Sequence, residues 1–462
     1  PGGRAALRRQ DRLAFYLACC SARRSLTGCA PRLDDRGRPI QPSSDLVELA
    51  RVAGLEGPQR LDRAILPLGS QCLDRVEAVW AHAHEAEVTG AEPALSEWVL
   101  ETEDRERRRR VAISEGRTDP TSGALLVESG HAPIAEALRA RLLDRPLTPR
   151  ILSGLAACGF RAFCELIVRL RLPEERGEQM DPRDGGNVRH RCLRDAFAAL
   201  ARAGLLPLVG GERRGRELEV FLGAARAALD AYEAEAPVGH PLVWAAERRT
   251  IERQLRRVYG RELSDPGWTP TWFELPFAAG SSTGQLSLFD PSGRPESRPA
   301  LRLELATGHA FLGGRLDRVD QKPGALRVID YKTSGLPSLV DRLRHGFRES
   351  DLQLAIYALL AREGLAPGAD VDAVYLSLTD AKVGESLGEI GSKAGTDLGL
   401  FFALDAPRRE RCRAEGLPNL AERIGELVER ALRGDFPVTP GDCRGCDYFG
   451  SCRVGAFYEE WE

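Results

Sequence analysis

The sequence predicts an α/β protein with a mostly helical amino-terminal third. Apolar residues recur at helical spacing in most segments up to about residue 259 and alternate as in strands between about residues 271 and 332. Helical spacing returns from residue 351. The two prolines of LLDRPLTPR interrupt the helical pattern near residue 146. We therefore predict two domains, residues 1–145 and residues 146–462.

The first domain is predicted to be helical because three of its segments carry apolar residues at helical spacing. These segments are DLVELARVAGL, RVEAVWAHAHEAE and PIAEALRARLL. The charged run EDRERRRR at 103–110 is interpreted as a solvated helix face, with a phosphate-contacting patch as the alternative.

The second domain begins with helices and continues with strands. Helices are predicted at about 151–172, over NVRHRCLRDAFAALARAG, and at about 214–235 and 241–259. Strands are predicted over TWFELPF, LRLELAT, HAFLGGRLDRVD and ALRVIDYKT, with a loop between the first two. DLQLAIYALLAREG then predicts a helix, VDAVYLSLTD predicts a strand, and a helix around 418–433 precedes a cysteine-rich tail.

The composition is that of an ordinary soluble protein, with 43% hydrophobic and 29% charged residues. The net charge of -3 excludes an overall basic character, so a nucleic-acid partner would have to be held by a local arginine-lined surface. No run of 18 apolar residues is present, which predicts no membrane span. The 11 cysteines are an odd number scattered through apolar patterns, which is typical of a reducing compartment, and we expect a cytoplasmic location.

Two acidic residues and a lysine lie close together in neighbouring predicted strands. Asp317 and Asp330 lie near the ends of two consecutive strands, and strand alternation places Asp330 and Lys332 on one face. Two carboxylates on a rigid sheet can bind a hard divalent cation such as Mg²⁺. The cation polarises a phosphoryl oxygen and activates water, while a lysine orients that water or stabilises developing charge. This combination predicts phosphodiester hydrolysis.

A surface hairpin with an Asp–Lys salt bridge is the structural alternative. The lysine argues against it, because the chain has four lysines among its 65 Lys+Arg and otherwise supplies positive charge as arginine. An arginine would form a structural salt bridge equally well, whereas the compact ammonium group of a lysine is a requirement of the chemistry more than of the structure.

The segments GGRLDRVD and VIDYKTSG resemble the active-site core of the PD-(D/E)XK nuclease superfamily, in its RecB-type branch. GGNVRHRCLRDAF is similar to the family's Gly-x-x-x-His helix, LQLAIYALL to its Gln-x-x-x-Tyr helix, and TWFELPF to the strand before an insertion loop. The resemblance implies a restriction-endonuclease-like core, a mixed sheet flanked by helices. It implies that Mg²⁺ or Mn²⁺ is held by His190, Asp317, Asp330 and the carbonyl of Tyr331, and that Asp317, Asp330 and Lys332 are catalytic.

The same resemblance implies that Gln353 and Tyr357 contact DNA. Their spacing of four residues places them on one helix face, from which both could contact a backbone phosphate. The residues alone leave open the alternative that Tyr357 is a core residue and Gln353 its solvated neighbour.

Three cysteines lie close together in the tail segment DCRGCDYFGSC, which predicts a metal or cluster site. In the AddB-like iron–sulfur nucleases, which this chain resembles, a cysteine at the start of the nuclease domain joins three at its end around a [4Fe–4S] cluster. LSGLAACGFRAF is similar to that family's opening helix, although Gly159 stands where the family has proline. The ligands implied are Cys158, Cys443, Cys446 and Cys452. A four-cysteine zinc site is the alternative, and the remaining thiols of this domain, Cys164, Cys192 and Cys412, are interpreted as ordinary buried cysteines.

The segment RQDRLAFYLACCSARRSL, with DDRGRPIQPSS after it, resembles the last motif of a superfamily 1 helicase. It departs from that family where a Thr-Arg pair is expected, because Cys20 and Ser21 follow Cys19 here. No Gly-x-x-x-x-Gly-Lys-[Ser/Thr] pattern occurs in the chain. We therefore expect a helicase-like remnant without ATPase activity, and because the chain begins with Pro1 we expect it to be part of a longer AddB-like subunit.

These features predict a metal-dependent DNA nuclease, an exonuclease acting on single strands delivered by a helicase subunit or by the helicase portion of a longer chain. Such a helicase-nuclease would act in double-strand-break repair and recombination. The first alternative is a catalytically silent DNA-binding or assembly module. The second is a zinc-stapled scaffold with the acidic hairpin at an interface.

Overall fold

The computed structural model describes residues 132–170, 182–236, 238–265, 267–278, 297–306 and 308–439, together with shorter pieces before residue 116 and within 443–452. The chain divides into two compact units, Pro1–Asp104 and Arg105–Glu462. In the first unit helix α1 spans Ser44–Val52 and confirms the helix predicted over DLVELARVAGL. The helix predicted over RVEAVWAHAHEAE lies outside the described residues, as does most of the helicase-like segment.

The second unit contains both the helices and the strands predicted for the nuclease-like part. Its described helices are α2 (Ala132–Leu143), α3 (Pro149–Ala157), α4 (Gly159–Ala162), α5 (Pro182–Arg202), α6 (Arg214–Glu235), α7 (Pro241–Leu263), α8 (Leu336–Gly346), α9 (Gln353–Gly364), α10 (Leu387–Lys393), α11 (Leu398–Phe401), α12 (Ala406–Glu415), α13 (Leu420–Leu432) and α14 (Phe449–Cys452). Its described strands are β1 (Thr269–Ala278), β2 (Arg298–Pro299), β3 (Leu301–Leu305), β4 (Gly308–Leu312), β5 (Gly314–Lys322), β6 (Ala325–Lys332), β7 (Asp370–Ser377) and β8 (Lys382–Val383).

The central sheet is mixed, with the strand order β2-β1-β5-β6-β7-β8. Strands β1, β5 and β6 form an antiparallel meander, and β6 pairs with β7 in parallel. That parallel step requires a crossover, which α8 and α9 supply. Strands β3 and β4 form a separate antiparallel ribbon. The α/β fold class with a helix-flanked mixed sheet is therefore confirmed.

Helices cover both faces of the sheet, because apolar side chains alternate to either side of its central strands. On one face α5, α6 and α7 share a buried apolar cluster with Ile329 of β6 and Leu376 of β7. On the other face α3, α9 and α13 share a second cluster with Val328 and Tyr375 of the same two strands. Strand β6 is thus buried on both sides, which fixes the position of the polar residues at its end.

A buried ionic network lies on the α7 side of β5. The Arg318 guanidinium, fully buried, donates from Nη2 to Glu262 at 2.6 Å and also bonds Asp320. Its carbon Cζ lies 4.4 Å from the centre of the Phe197 ring. The network ties β5 to α5 and α7 immediately beside Asp317, so removing one partner would leave an uncompensated buried charge next to the acidic residues.

Two predicted elements are interrupted where the chain packs closely against another segment. The single helix expected at 151–172 breaks at Cys158, which is extended, and resumes as α4 and a π-helical turn, Phe163–Val168. The strand expected over HAFLGGRLDRVD is divided into β4 and β5 at Gly313. A Cβ at Gly313 would lie 2.6 Å from the carbonyl oxygen of Phe277, so only glycine fits there.

None of the helices in the described part of the chain is long and apolar enough to cross a membrane.

Candidate active site

The acidic residues lie where the β5–β6 ladder ends. The last paired residues are Arg318 and Ile329, and Asp317 and Asp330 stand just beyond them. There the backbone N–H of Tyr331 donates to Asp317 Oδ2 at 2.9 Å instead of to a strand carbonyl. Both carboxylates are buried, and the two strands separate around them.

His190 reaches this opening from helix α5, which packs across β1 and β5. Its Nδ1 lies 3.3 Å from Asp317 Oδ1, and its Nε2 lies 3.2 Å from the carbonyl oxygen of Tyr331. The histidine, one carboxylate and the carbonyl predicted to bind metal are therefore neighbours, although they are far apart in sequence.

Glu274 of β1 joins these groups and was not predicted from the sequence. One ligand atom each from His190, Glu274 and Asp317 lies within 4.8 Å of the others. Glu274 Oε1 is 3.5 Å from His190 Nδ1, and it is buried with no hydrogen-bond donor. The available signal was a lone acidic residue in the apolar strand TWFELPF. An unsatisfied buried carboxylate oxygen beside two other ligands fits a cation site.

The backbone of β1 is distorted near Glu274. The pairing of β1 with β5 shifts register between Pro270 and Trp272, and Glu274 has φ 50, in the left-handed region. Such a conformation is uncommon for a non-glycine residue and concentrates at functional sites. Beyond the shift Phe273 pairs with Arg318 and Leu275 with Leu316, so Glu274 lies opposite Asp317.

Lys332, Asp330 and Gln353 form a closed polar triangle. The ammonium of Lys332 pairs with Asp330 and donates to Gln353 Oε1 at 3.2 Å. The amide of Gln353 donates in turn to Asp330 Oδ1 at 2.8 Å. Gln353 is the first residue of α9, so the crossover helix fixes both the carboxylate and the lysine.

Tyr357 lies one turn further along α9 and is buried against the backbone of β5. A Cβ at Gly314 would lie 3.0 Å from the Tyr357 ring. Burial raises the pKa of the Tyr357 hydroxyl above its usual range, and the charges of Asp330 and Asp317 raise it further. Tyr357 thus belongs to the core beside the site, and its contact with DNA stays a prediction.

The local electrostatics are those of closely spaced, buried acidic groups. Burial raises the pKa of Asp330 to about 6, against the opposing charge of Lys332 and with a further rise from Asp317. Burial alone would lower the pKa of His190, but the neighbouring carboxylates of Asp317 and Glu274 raise it to about 10. A divalent cation would replace the protons that this cluster otherwise attracts.

The cysteines predicted to bind a cluster lie in two segments that approach each other. The backbone N–H of Phe160, two residues after Cys158, donates to the carbonyl of Pro437 at 3.2 Å. The N–H of Cys446 donates to the carbonyl of Cys443 at 3.0 Å. No three cysteine sulfurs lie within 4.8 Å of one another among the described residues. The iron–sulfur cluster stays a prediction.

Cys164, interpreted from the sequence as an ordinary thiol, is buried in the π-helical turn. Burial is the main cause of the raised pKa of the Cys164 thiol, and the nearby thiols of Cys158, Cys446 and Cys452 raise it further. Three of the four predicted cluster cysteines are therefore near enough to Cys164 to affect its pKa.

A comparison with protein-family models matches residues 146–453 to the model described as the PD-(D/E)XK nuclease superfamily. The matched range covers more than half of the chain and includes every residue of the acidic site. A comparison with curated proteins finds no match.

Proposed function

This chain belongs to the PD-(D/E)XK nuclease superfamily, and we propose that it is a metal-dependent deoxyribonuclease that hydrolyses phosphodiester bonds in single-stranded DNA. One observation carries the proposal. His190, Glu274 and Asp317 converge within 4.8 Å, beside a lysine that is paired with a second carboxylate. A structural salt bridge would not need this surplus of buried acidic groups.

The residues present fit a hard divalent cation, because they offer mainly oxygen ligands. The ligands proposed for Mg²⁺ or Mn²⁺ are His190, Glu274, Asp317, Asp330 and the carbonyl of Tyr331. A cation held there would polarise a phosphoryl oxygen and lower the pKa of a bound water.

The protein side chains supply orientation and charge. Asp330 and Gln353 accept two of the three N–H groups of the Lys332 ammonium. The third N–H group can donate to an attacking water or to a phosphoryl oxygen. A preorganised positive charge stabilises the negative charge that develops in the transition state. The burial of Asp317 and Asp330 excludes bulk water and strengthens these interactions.

We also propose that the two ends of the domain are clasped by a [4Fe–4S] cluster on Cys158, Cys443, Cys446 and Cys452. The close approach of α4 to the segment before the tail supports it. A Cβ at Gly159 would lie 2.7 Å from backbone atoms of Phe436 and Pro437, which explains why glycine stands at this position. The cluster predicts iron and acid-labile sulfide in the anaerobically purified protein, and the loss of both in Cys443→Ala. Stoichiometric zinc without iron would indicate the four-cysteine zinc site instead.

The resemblance to AddB-like nucleases supports a finer proposal. The chain would act as an exonuclease within a helicase-nuclease of double-strand-break repair and recombination, on strands delivered by a helicase partner in the cytoplasm. Pull-down of a helicase by the full chain would test this role independently of hydrolysis.

The hydrolytic proposal is tested by incubating the purified chain with labelled single-stranded DNA and Mg²⁺. Degradation is expected for the wild type and for Asp230→Ala, an exposed aspartate on α6 that serves as the matched control. Asp330→Ala and Lys332→Ala are expected to lose at least about a hundredfold in rate. Equal degradation by all four proteins would eliminate the assigned site.

A further inference from the structure

Two exposed arginines flank the glycine pair that leads into the acidic strand. Arg315 follows Gly314 in β5, and Arg150 follows Pro149 in the first turn of α3. The two backbone segments touch, since a Cβ at Gly314 would lie 3.3 Å from Pro149. The side chain of Arg315 is 68% exposed and that of Arg150 is 79% exposed.

Both guanidinium groups form loose ion pairs. Arg150 is 3.9 Å from Glu165, whose carboxylate is already bonded by Arg161 at 2.8 Å. Arg315 is 3.5 Å from Glu274. By contrast, the exposed Arg344 is bonded to its carboxylate at 2.6 Å. Loose exposed pairs contribute little to stability, so these two arginines remain available to an anionic ligand.

The position of Arg315 connects this surface to the site. Arg315 lies two residues before Asp317 on β5 and pairs with Glu274, one of the proposed cation ligands. A phosphate bound by Arg315 would therefore lie next to the cation site, and one bound by Arg150 would lie farther along the same strand of nucleic acid.

An exposed aromatic ring extends the surface. Phe311 of β4 is 39% exposed, and its carbonyl accepts a hydrogen bond from the N–H of Leu147 at 2.6 Å. The backbone of Phe311 therefore lies beside the segment that leads into α3, the helix that carries Arg150. Aromatic rings next to cationic side chains are the features that bind single strands, because unpaired bases stack on the ring while phosphates meet the cations.

We propose that Arg150, Arg315 and Phe311 form a strand-binding strip that holds a single-stranded nucleic acid beside the acidic site, with the arginines on phosphates and the phenylalanine on a base. The inference rests on the proposed function and deepens it by assigning the residues that seat the substrate. A single strand is favoured over a duplex because Asp317 and Asp330 are buried, so the backbone must bend inward to reach them.

Binding is measured by fluorescence anisotropy of a labelled single-stranded oligonucleotide in EDTA, across a series of salt concentrations. Arg150→Gln and Arg315→Gln are each expected to weaken binding several-fold at low salt and to reduce the log–log salt slope by about 0.7. Arg226→Gln, which removes an exposed arginine of α6 paired with Glu252, is the matched control and is expected to bind as the wild type does. A double arginine variant with wild-type affinity and slope would overturn the strip.

The ring is tested separately. Phe311→Ala is expected to weaken single-strand binding about fivefold or more while leaving the weaker binding of a duplex of the same length unchanged. An equal loss of affinity for both oligonucleotides, or no loss of affinity for either, would refute the proposal that the strip binds a single strand.

Parallel cleavage assays with Mg²⁺ distinguish this inference from the proposed function. Wild-type protein that binds through these arginines but leaves DNA intact would overturn hydrolysis and keep the strip. Wild-type protein that cleaves DNA, with a double arginine variant that binds and cleaves equally well, would overturn the strip and keep hydrolysis.

Discussion

The carboxylate of Asp317 accepts the backbone N–H of Tyr331 at 2.9 Å, directly beyond the last paired residues of β5 and β6. A side chain thus takes over a bond that a strand carbonyl would otherwise make. One oxygen of Asp317 bridges the two strands, while its other oxygen faces His190 at 3.3 Å. The same residue therefore has a structural role and a proposed cation-binding role, and substitutions can separate the two.

Asp317→Asn is expected to keep the hydrogen bond from Tyr331 and to lose nuclease activity by at least about a hundredfold. Without divalent cations its free energy of unfolding should stay close to that of the wild type, because relief of the repulsion with Asp330 offsets the lost attraction to His190. Asp317→Ala leaves the Tyr331 N–H unpaired and should be less stable than Asp317→Asn by about 1–3 kcal/mol. Urea denaturation and the DNA assay measure the two effects, and an active Asp317→Asn would contradict the proposed role.

Glu274→Gln keeps the shape of the side chain and removes its charge. We expect the affinity for Mn²⁺ to fall about tenfold or more, because the cation loses an anionic ligand. Isothermal titration calorimetry measures this affinity. Glu252→Gln, on the outer face of α7, is the control and should bind Mn²⁺ as the wild type does. Unchanged Mn²⁺ affinity in Glu274→Gln would exclude this residue from the site.

Gly159→Ala should destabilise the protein by about 1–3 kcal/mol, because its Cβ would lie 2.7 Å from the backbone of Phe436. Gly154→Ala is the matched control in α3, where a Cβ meets nothing within 4 Å. Since alanine favours the helix interior, Gly154→Ala should be neutral or stabilising by about 0.5–1 kcal/mol. Thermal or urea unfolding compares the two, and similar effects would refute the close packing described at Gly159.

The buried network around Arg318 predicts a pH dependence of stability. Burial alone would raise the pKa of Glu262, but the charges and hydrogen bonds of Arg318 and Arg261 outweigh it and lower the pKa below its ordinary 4.5. Stability from a lowered carboxyl pKa is fully present above the unfolded value and is lost as the pH falls through the folded value. The wild type should therefore lose stability below about pH 4.5.

Glu262→Gln removes this titration and leaves Arg318 without one of its anionic partners. At neutral pH the variant should be less stable by about 2–4 kcal/mol, and this difference should shrink as the pH falls below about 4.5. Urea unfolding at several pH values measures it, with Glu252→Gln as a surface-pair control. A difference that does not depend on pH would contradict the assigned ionisation of Glu262.

The fold class and the grouping of Asp317, Asp330 and Lys332 could be predicted because local patterns carry them, whereas the roles of His190 and the Tyr331 carbonyl were implied by the family resemblance. Alternation along VIDYK placed Asp330 and Lys332 on one face, and both now contact Gln353. Glu274 could not be predicted in this way, because its position opposite Asp317 depends on the register of β1 against β5, which includes a shift. The breaks at Cys158 and Gly313 also depend on distant segments, which no local pattern contains.

The sequence separation of the acidic groups has a consequence for folding. Asp317 and Asp330 belong to one hairpin, but His190 arrives from α5 and Glu274 from β1, so no short piece of the chain can assemble the full set. An incompletely folded chain would bind divalent ions weakly and would leave DNA intact. Cation binding is then coupled to global folding, and added Mn²⁺ should raise the melting temperature by an amount that grows with the logarithm of its concentration above the dissociation constant.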